Sequence, residues 1–160
     1  MATSLSNLSD FNPSEVPSGK DHRVAIVVAE WNRQITENLF LGAKDALMAC
    51  GVKEQHILRS NVPGSFELVF GAKKALEQEV DAVIVIGSVI QGETKHFDFV
   101  CQGVTQGIVS LNLSSNRPVV FCVLTDNTLQ QAIDRSGGQH GNKGVEAAVT
   151  ALKMIALAQQ

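Results

Sequence analysis

Short runs of valine and isoleucine, separated by helical patterns, constrain the fold of this chain more than any other feature. The clearest run lies at residues 81–86, where consecutive apolar residues predict a strand buried on both faces. Strands are predicted at residues 23–29, at about 56–60, at 81–86 and at 118–124. Strands covered on both faces belong to a parallel sheet between two layers of helices. We therefore predict an α/β fold with a four-stranded parallel sheet.

Amphipathic patterns predict the helices that cover this sheet. They occur at residues 36–50, 66–78 and 97–113, in a short segment that opens at Thr128, and at residues 143–158. Gly51 suits the left-handed cap of the first helix, and Ser65 is the predicted N-cap of the second. Thr128 and Gln131 have the spacing of a capping box.

Length and composition indicate one soluble domain. The chain has 160 residues, 44% of them hydrophobic and 18% charged, and no apolar run approaches the roughly 20 residues of a membrane span. The net charge of −3, without a lysine- or arginine-rich run, argues against a nucleic-acid partner. Cys50, Cys101 and Cys122 are odd in number and flanked by apolar residues, which favours buried thiols in a reducing cytoplasm over disulfides or a zinc site.

The first 20 residues differ in composition from the rest. They are rich in Ser, Asn and Pro, contain acidic residues, and lack the apolar core of a secretory leader. We predict an N-terminal arm at residues 1–20, which is either disordered or ordered on a neighbour, and one domain at residues 21–160. Apolar residues recur in the arm, at Leu5, Leu8, Phe11 and Val16. Such an arm could pair with an open sheet edge, which we expect the first strand to provide.

Ligands bind open parallel sheets at the carboxyl ends of the strands, so the residues that follow each strand are the site candidates. After the first strand come Trp31 and Asn32. Trp31 is either a plate on which a flat heterocycle stacks or a packing residue of the adjoining helix. After the second strand, residues 62–67 read VPGSFE, a tight turn that places free N–H groups beside Glu67. Glu67 alone could equally be a partner of the helix dipole.

After the third strand, residues 87–96 read GSVIQGETKH. Two glycines, two hydroxyl side chains and the start of a helix would surround an anion with N–H groups. His96 would then lie where a proton carrier reaches the ligand, although a connecting loop with a surface histidine would have the same composition.

After the fourth strand, Arg135 precedes a glycine-rich loop, where its guanidinium could bind phosphate. Alternatively, Arg135 could pair with Asp134 or with the carbonyl groups at the end of its own helix. The loop is not a Walker motif, because Asn142 interrupts it and Gly144 replaces Ser or Thr. The first strand lacks the G-x-G-x-x-G of a dinucleotide fold, and the four histidines lack metal-ligand spacing.

Four segments, at residues 62–67, 87–101, 131–137 and 141–144, closely resemble the corresponding motifs of the lumazine synthase family. The resemblance spans about residues 23–157. It implies a flavodoxin-like three-layer α/β/α sandwich. It also implies condensation of 5-amino-6-(D-ribitylamino)uracil with 3,4-dihydroxy-2-butanone 4-phosphate to 6,7-dimethyl-8-ribityllumazine in riboflavin biosynthesis, with no cofactor and no metal.

The resemblance also implies roles for individual residues. The pyrimidine and ribityl contacts would be Trp31, Ser65, Phe66, Glu67, Ser88, Val89, Ile90 and, from an adjacent subunit, Phe121. His96 would be the acid/base residue, and Glu93, Thr94 and Arg135 would bind phosphate. Lys143 is expected at the edge of the same site, and Asn32 is a further candidate.

The sequence departs from many members of that family at four positions. It has Gln91 in place of Arg, Trp31 in place of Phe, Glu93 in place of a small residue and Gln139 in place of Lys. A carboxylate repels phosphate, so a phosphate contact at Glu93 requires that the side chain points away and that only main-chain N–H groups bind.

Assembly and activity follow as expectations from the same resemblance. Family members form pentamers with shared active sites. The loop at residues 135–144 has the short length found in the members whose pentamers assemble into icosahedral capsids, so we expect a capsid here. A related protein that binds flavin or lumazine without turnover is the main alternative, and a riboflavin synthase of the same fold is another. The presence of His96 together with Arg135 argues against these two alternatives. A protein that only binds a flat heterocycle needs neither a proton carrier nor a phosphate-binding arginine, and a riboflavin synthase has no use for a phosphate site.

Overall fold

The computed structural model describes residue 7 and residues 9–160. Leu5 and Leu8 of the predicted arm lie outside these residues. Strands and helices alternate along the chain as β1 (Val24–Ala29), α1 (Arg33–Ala49), β2 (Ile57–Val62), α2 (Leu68–Leu76), β3 (Ala82–Ile90), α3 (His96–Ser114), β4 (Val119–Asp126), α4 (Leu129–Arg135), β5 (Ser136–Gly138), β6 (Gly141–Asn142) and α5 (Lys143–Ala158). The predicted order of the four long strands and the five helices is confirmed, and the short strands β5 and β6 are additional.

Strands β1 to β4 form one parallel sheet in the spatial order β2, β1, β3, β4. Val24 lies opposite Ile57 of β2 and Ala82 of β3, so β1 is an inner strand. The prediction that β1 offers an open edge is wrong, because consecutive crossovers place β2 and β3 on opposite sides of it. The edges of this sheet are β2 and β4.

Both faces of the sheet are covered, which makes the fold a three-layer sandwich. In β1, Val24, Ile26 and Val28 face the core under α1 and α5, while the alternating Ala25, Val27 and Ala29 face the core under α2 and α3. All six residues of β1 are buried. The apolar runs thus mark the strands that are mostly buried, including the edge strand β4, whereas the edge strand β2 has exposed residues at its centre.

The main difference from the predicted boundaries concerns β3. It extends to Ile90, four residues past its predicted end, because its ladder with β4 continues until Ile90 lies opposite Asp126. Ser88, Val89 and Ile90 are therefore strand residues and not loop residues. The hairpin formed by β5 and β6 was not predicted, since its strands are very short.

The predicted caps have mixed outcomes. Gly51 has a left-handed φ of 98°, as predicted. Thr128 accepts a hydrogen bond of 3.3 Å from the Gln131 N–H, but the Gln131 side chain accepts from Asn127 N and not from Thr128 N. Ser65 is not the N-cap of α2, because that helix begins later, at Leu68.

The cysteine prediction holds for two of the three residues. Cys50 and Cys122 are buried, and Cys101 on α3 is partly exposed. Burial raises the pKa of the Cys122 thiol to about 12. In the part of the chain described here, no helix combines the length and apolarity needed to cross a membrane.

The start of α5 is fixed against α1 by a close backbone approach. A Cβ at Gly144 would overlap the main-chain oxygen of Leu39. Asn142 caps α5 by accepting a hydrogen bond of 2.8 Å from Gly144 N, and it donates another of 2.8 Å to Asn38 O. This contact positions Lys143 and the end of the β5–β6 hairpin.

Candidate active site

The carboxyl ends of β1, β2 and β3 open into a cavity of about 770 Å³, a size that suits a small organic ligand. Ten of the residues singled out from the sequence line it: Trp31, Asn32, Ser65, Phe66, Glu67, Ser88, Val89, Ile90, Thr94 and His96. Sequence reasoning missed several other lining residues, among them Pro63, Phe97 and Phe99. The spacing of Phe99, one helical turn after His96, could have indicated its place beside that histidine.

A second cavity, of about 970 Å³, lies beside the edge strand β4 and helices α4 and α5. Phe121, Arg135 and Lys143 line this cavity, so the structure does not bring them together with His96 within one chain. Glu93 lines neither cavity and is exposed. The residues singled out from the sequence are thus divided between two faces of the chain.

Asn32 connects the loops that surround the first cavity. It has a left-handed backbone, with φ 57° and ψ 47°, and its side-chain amide donates a hydrogen bond of 2.9 Å to the main-chain oxygen of Ser88. The neighbouring Trp31 donates a main-chain hydrogen bond of 3.2 Å to Pro63 O. The residues after β1 are therefore fixed to those after β2 and to the end of β3.

Three aromatic rings form exposed apolar walls around this cavity. Trp31 is 72% exposed, Phe66 is 58% exposed and Phe99 is 70% exposed. The Phe66 ring lies against α3 at Gly103, where an added Cβ would come within 2.6 Å of it. So much exposed aromatic surface around one cavity suits a flat ligand or a protein neighbour, and it makes a mere packing role for Trp31 a poor explanation.

Ser65 and Ser88 place buried hydroxyl groups at the floor of the cavity. Ser65 lies directly against β3, because a Cβ at Gly87 would come within 2.6 Å of its Oγ. The Ser88 Oγ is buried and makes no hydrogen bond to any residue that the structure describes. Buried polar atoms are nearly always paired, so an unpaired hydroxyl in a cavity wall is a group that a ligand can satisfy.

His96 is exposed at the first position of α3. Its main-chain N–H lies 3.4 Å from the Thr94 Oγ1, which holds the loop of residues 91–95 against the start of the helix. The side chain of His96 therefore stands at the cavity rim next to the N–H groups of a helix N-terminus, an arrangement suited to proton transfer beside an anion.

Arg135 is held by its own chain at the second cavity. Its Nη1 donates a hydrogen bond of 3.0 Å to Gln131 O, and its Nε lies 3.9 Å from Oδ1 of Asp126. Of the alternatives expected for Arg135, a contact with a carbonyl of its own helix does occur, because Gln131 belongs to α4. Asp134 is not its partner and accepts a hydrogen bond from Gln130 instead. Burial raises the pKa of the Asp126 carboxyl, and the nearby Arg135 guanidinium opposes that rise.

Lys143 Nζ forms an ion pair of 2.7 Å with Glu146, so this lysine is already partnered within the chain. Among residues 7 and 9–160, no group of three or more His, Cys, Asp or Glu side chains could hold a metal ion.

Comparisons with known proteins point to one family. The model of the family described as 6,7-dimethyl-8-ribityllumazine synthase matches residues 21–159. The chain is 63% identical to the Flavobacterium johnsoniae protein over 161 residues, covering 100% of this chain and 85% of the relative. It is 57% identical to the Christiangramia forsetii protein, with 98% and 95% covered, and 56% identical to the Porphyromonas gingivalis protein, with 98% of each covered. All three relatives are named 6,7-dimethyl-8-ribityllumazine synthase.

Proposed function

The chain belongs to the 6,7-dimethyl-8-ribityllumazine synthase family, and on this premise we propose that the first cavity is its active site, completed by the second cavity of a neighbouring subunit. The protein is a transferase of riboflavin biosynthesis that condenses 5-amino-6-(D-ribitylamino)uracil with 3,4-dihydroxy-2-butanone 4-phosphate. A non-catalytic relative is not favoured, because the family match and the synthase relatives extend over nearly the whole chain.

The pyrimidine substrate occupies the first cavity in this proposal. Its flat ring stacks on Trp31, whose exposed face stands over the ends of β1 and β3. The free hydroxyl of Ser88 at the floor, together with the main chain of Val89 and Ile90, pairs with polar ring atoms. Ser65, Phe66 and Glu67 contact the ring edge and the ribityl chain, and the exposed carboxylate of Glu67 accepts hydrogen bonds from ribityl hydroxyls.

His96 acts as the acid/base residue. Imine formation between the amine and the ketone releases one water, and ring closure onto the second carbonyl releases another. These two steps, the loss of phosphate and the enolisation each move a proton. A single histidine at the cavity rim can accept a proton in one step and return it in the next. Holding both substrates in one cavity supplies much of the remaining acceleration through proximity.

The ketone phosphate lies between the loop that precedes α3 and Arg135. Thr94 offers its hydroxyl, and Glu93, whose side chain is exposed, contributes through the main chain. Arg135 lines the other cavity of its own chain, so the arginine that meets this loop comes from an adjacent subunit. Lys143 lies near Arg135 at the edge of the site, and Phe121, 36% exposed on the edge strand β4, faces the same neighbour.

A pentamer is the smallest assembly we propose, and an icosahedral capsid of pentamers, located in the cytoplasm, is the favoured final form. Residues 1–20 form the arm and residues 21–160 the domain; the family match begins at residue 21. The free edge of β2 is where a neighbour's arm can add a strand. Phe11 and Val16, however, pack against the core of their own chain.

The division of the site residues between two cavities is the observation that carries the shared-site proposal, and it allows a direct test. His96→Ala and Arg135→Ala should each impair the enzyme. When the two variants are unfolded together and refolded as mixed oligomers, activity should return. Random mixing gives about a quarter of the shared sites an intact His96 from one chain and an intact Arg135 from its neighbour. Each variant refolded alone is the control. No recovery in mixed oligomers of verified composition would contradict a shared site, while an inactive wild-type protein supplied with both substrates would contradict the catalytic function itself.

A further inference from the structure

Asp126 places a carboxylate at the buried end of an apolar strand. It is the last residue of β4, which reads VVFCVLTD, and it is 7% exposed. Burying a carboxylate is costly unless a charge partner and hydrogen bonds compensate. Its Oδ2 is buried and makes no hydrogen bond to the residues that the structure describes. A carboxylate kept in such surroundings calls for a reason other than stability.

The charge partner of Asp126 is Arg135, the residue proposed to bind phosphate. The Asp126 Oδ1 lies 3.9 Å from Arg135 Nε, which is close enough for an ion pair and too long for a hydrogen bond. On its other side, Arg135 Nη1 donates to Gln131 O at 3.0 Å. Two of the three guanidinium nitrogens are thus directed at the chain itself.

The third nitrogen, Nη2, makes no hydrogen bond within the described part of the chain. One hydrogen of Nη2 and the second hydrogen of Nη1 form the end of the guanidinium fork, and this pair of donors matches two oxygens of a phosphate group. The Arg135 side chain is only 26% exposed, so the surrounding residues restrict its conformation while these donors remain available. A fixed arginine loses less conformational entropy when it binds an anion.

We infer that Asp126 is a positioning residue, whose carboxylate orients the Arg135 guanidinium so that Nη1 and Nη2 are left for the phosphate of the ketone substrate. This inference rests on the phosphate role proposed above for Arg135. The two nearest alternative carboxylates have other partners: Glu146, which lines this cavity, pairs with Lys143, and Asp134, the residue before Arg135, accepts a hydrogen bond from Gln130.

The test uses the full-length enzyme with Asp126→Asn, Arg135→Ala and the double variant. Asp134→Asn is the matched control, since it removes the same charge from the residue next to Arg135 without touching the guanidinium contact. The Michaelis constant of each substrate, the turnover number and the inhibition constant of inorganic phosphate are measured for all five proteins, wild type included.

Asp126→Asn should raise the Michaelis constant of the ketone and the inhibition constant of phosphate by about three- to tenfold, with the pyrimidine constant and turnover within about twofold of wild type. In the Arg135→Ala background the same change should have no further effect on either constant, because the residue acts only through Arg135. Asp134→Asn should stay within about twofold of wild type throughout.

Three results would overturn the inference. If Arg135→Ala weakens ketone binding but Asp126→Asn does not, the positioning role fails and the phosphate role stands. If Asp126→Asn has the same effect with and without Arg135, it acts independently of that residue. If Arg135→Ala leaves ketone binding unchanged, the proposed phosphate role and the positioning role both fail. Should Asp126→Asn not assemble, Asp126→Ser carries the same expectations, and assembly of each variant is checked by light scattering.

Discussion

The side-chain amide of Asn32 donates a hydrogen bond of 2.9 Å to the main-chain oxygen of Ser88. Asn32 makes this bond from a left-handed backbone conformation that few residues other than glycine adopt, and asparagine is among the best tolerated there. The bond joins the loop that carries Trp31 to the strand that forms the cavity floor. Strained positions of this kind persist where the surroundings hold them, which is common at ligand sites.

Arg135→Ala should raise the Michaelis constant of the phosphorylated ketone far more than that of the pyrimidine. A charge-assisted contact to phosphate is worth about 1.5 to 3 kcal/mol, which corresponds to about a 10- to 150-fold loss of affinity. Steady-state kinetics with each substrate varied in turn measures both constants. An equal loss for the two substrates, or none for the ketone, would argue against a phosphate contact.

His96→Ala should lower turnover by about 100-fold at most, because general acid/base catalysis is one contribution among several here. The residual rate should also lose the pH dependence that the histidine imposes on the wild type. Turnover numbers measured from pH 5 to 9 on both proteins test this. Were rate and profile to remain those of the wild type, another group would have to carry the proton.

Gly144→Ala should destabilise the protein by about 2 to 4 kcal/mol, because the new methyl group would overlap the Leu39 carbonyl where α5 crosses α1. Gly92→Ala is the matched control, since an added Cβ there meets nothing within 4 Å. Chemical unfolding followed by circular dichroism gives both free energies. Comparable stability of the two variants would mean that α5 can shift without cost.

Asp126→Asn should raise the free energy of unfolding at pH 7 even though it weakens substrate binding. Burial raises the pKa of Asp126 from its ordinary value of 3.8, against the opposing effect of Arg135. A raised folded-state pKa means that the protonated carboxyl stabilises the fold below pH 3.8 and that this contribution is lost as the pH rises through the folded pKa.

The asparagine variant carries no such charge, so its advantage over wild type should shrink as the pH falls toward 3.8. Urea unfolding of both proteins between pH 4 and pH 8 tests this dependence. A variant that is less stable than wild type at pH 7 would show that the ionised carboxylate stabilises the fold.

Light scattering on the full-length protein should reveal a species of at least five chains, because β2 and β4 each have one unpaired side in the sheet and several aromatic side chains are exposed in the single chain. A monomer at micromolar concentration would contradict the shared site and the role given to Phe121. A pentamer without larger particles would contradict only the capsid.

The inner strands and the helices could be predicted from the sequence because their apolar patterns are long. The end of β3 could not, since Gly87 and Ser88 have the composition of a loop and only the ladder with β4 makes them strand residues. The position of β1 inside the sheet was also beyond the sequence, because a crossover can continue on either side of a strand. The β5–β6 hairpin is too short to leave a pattern.

Most residues of the first cavity could be identified because they lie at the carboxyl end of a strand or in the loop that follows it. The residue pattern could not place Arg135 at a different cavity, since that depends on how α4 is oriented around the sheet edge, and only the family resemblance separated Phe121 from the other site residues. Asp126 was passed over because Thr-Asp-Asn after a strand looks like an ordinary turn. Its burial and its partner exist only in the folded chain.

In the proposed shared site, the separation of His96 from Arg135 within one chain makes catalysis depend on protein concentration. If each complete site lies between two chains, the number of working sites follows the law of mass action and falls as the assembly dissociates. The rate per chain should then be constant at high concentration and decline on dilution, with phosphate or a pyrimidine analogue delaying the decline by holding neighbours together. A folded but solitary chain would have a cavity able to bind the pyrimidine, but it would lack the arginine that binds the phosphate of the ketone substrate.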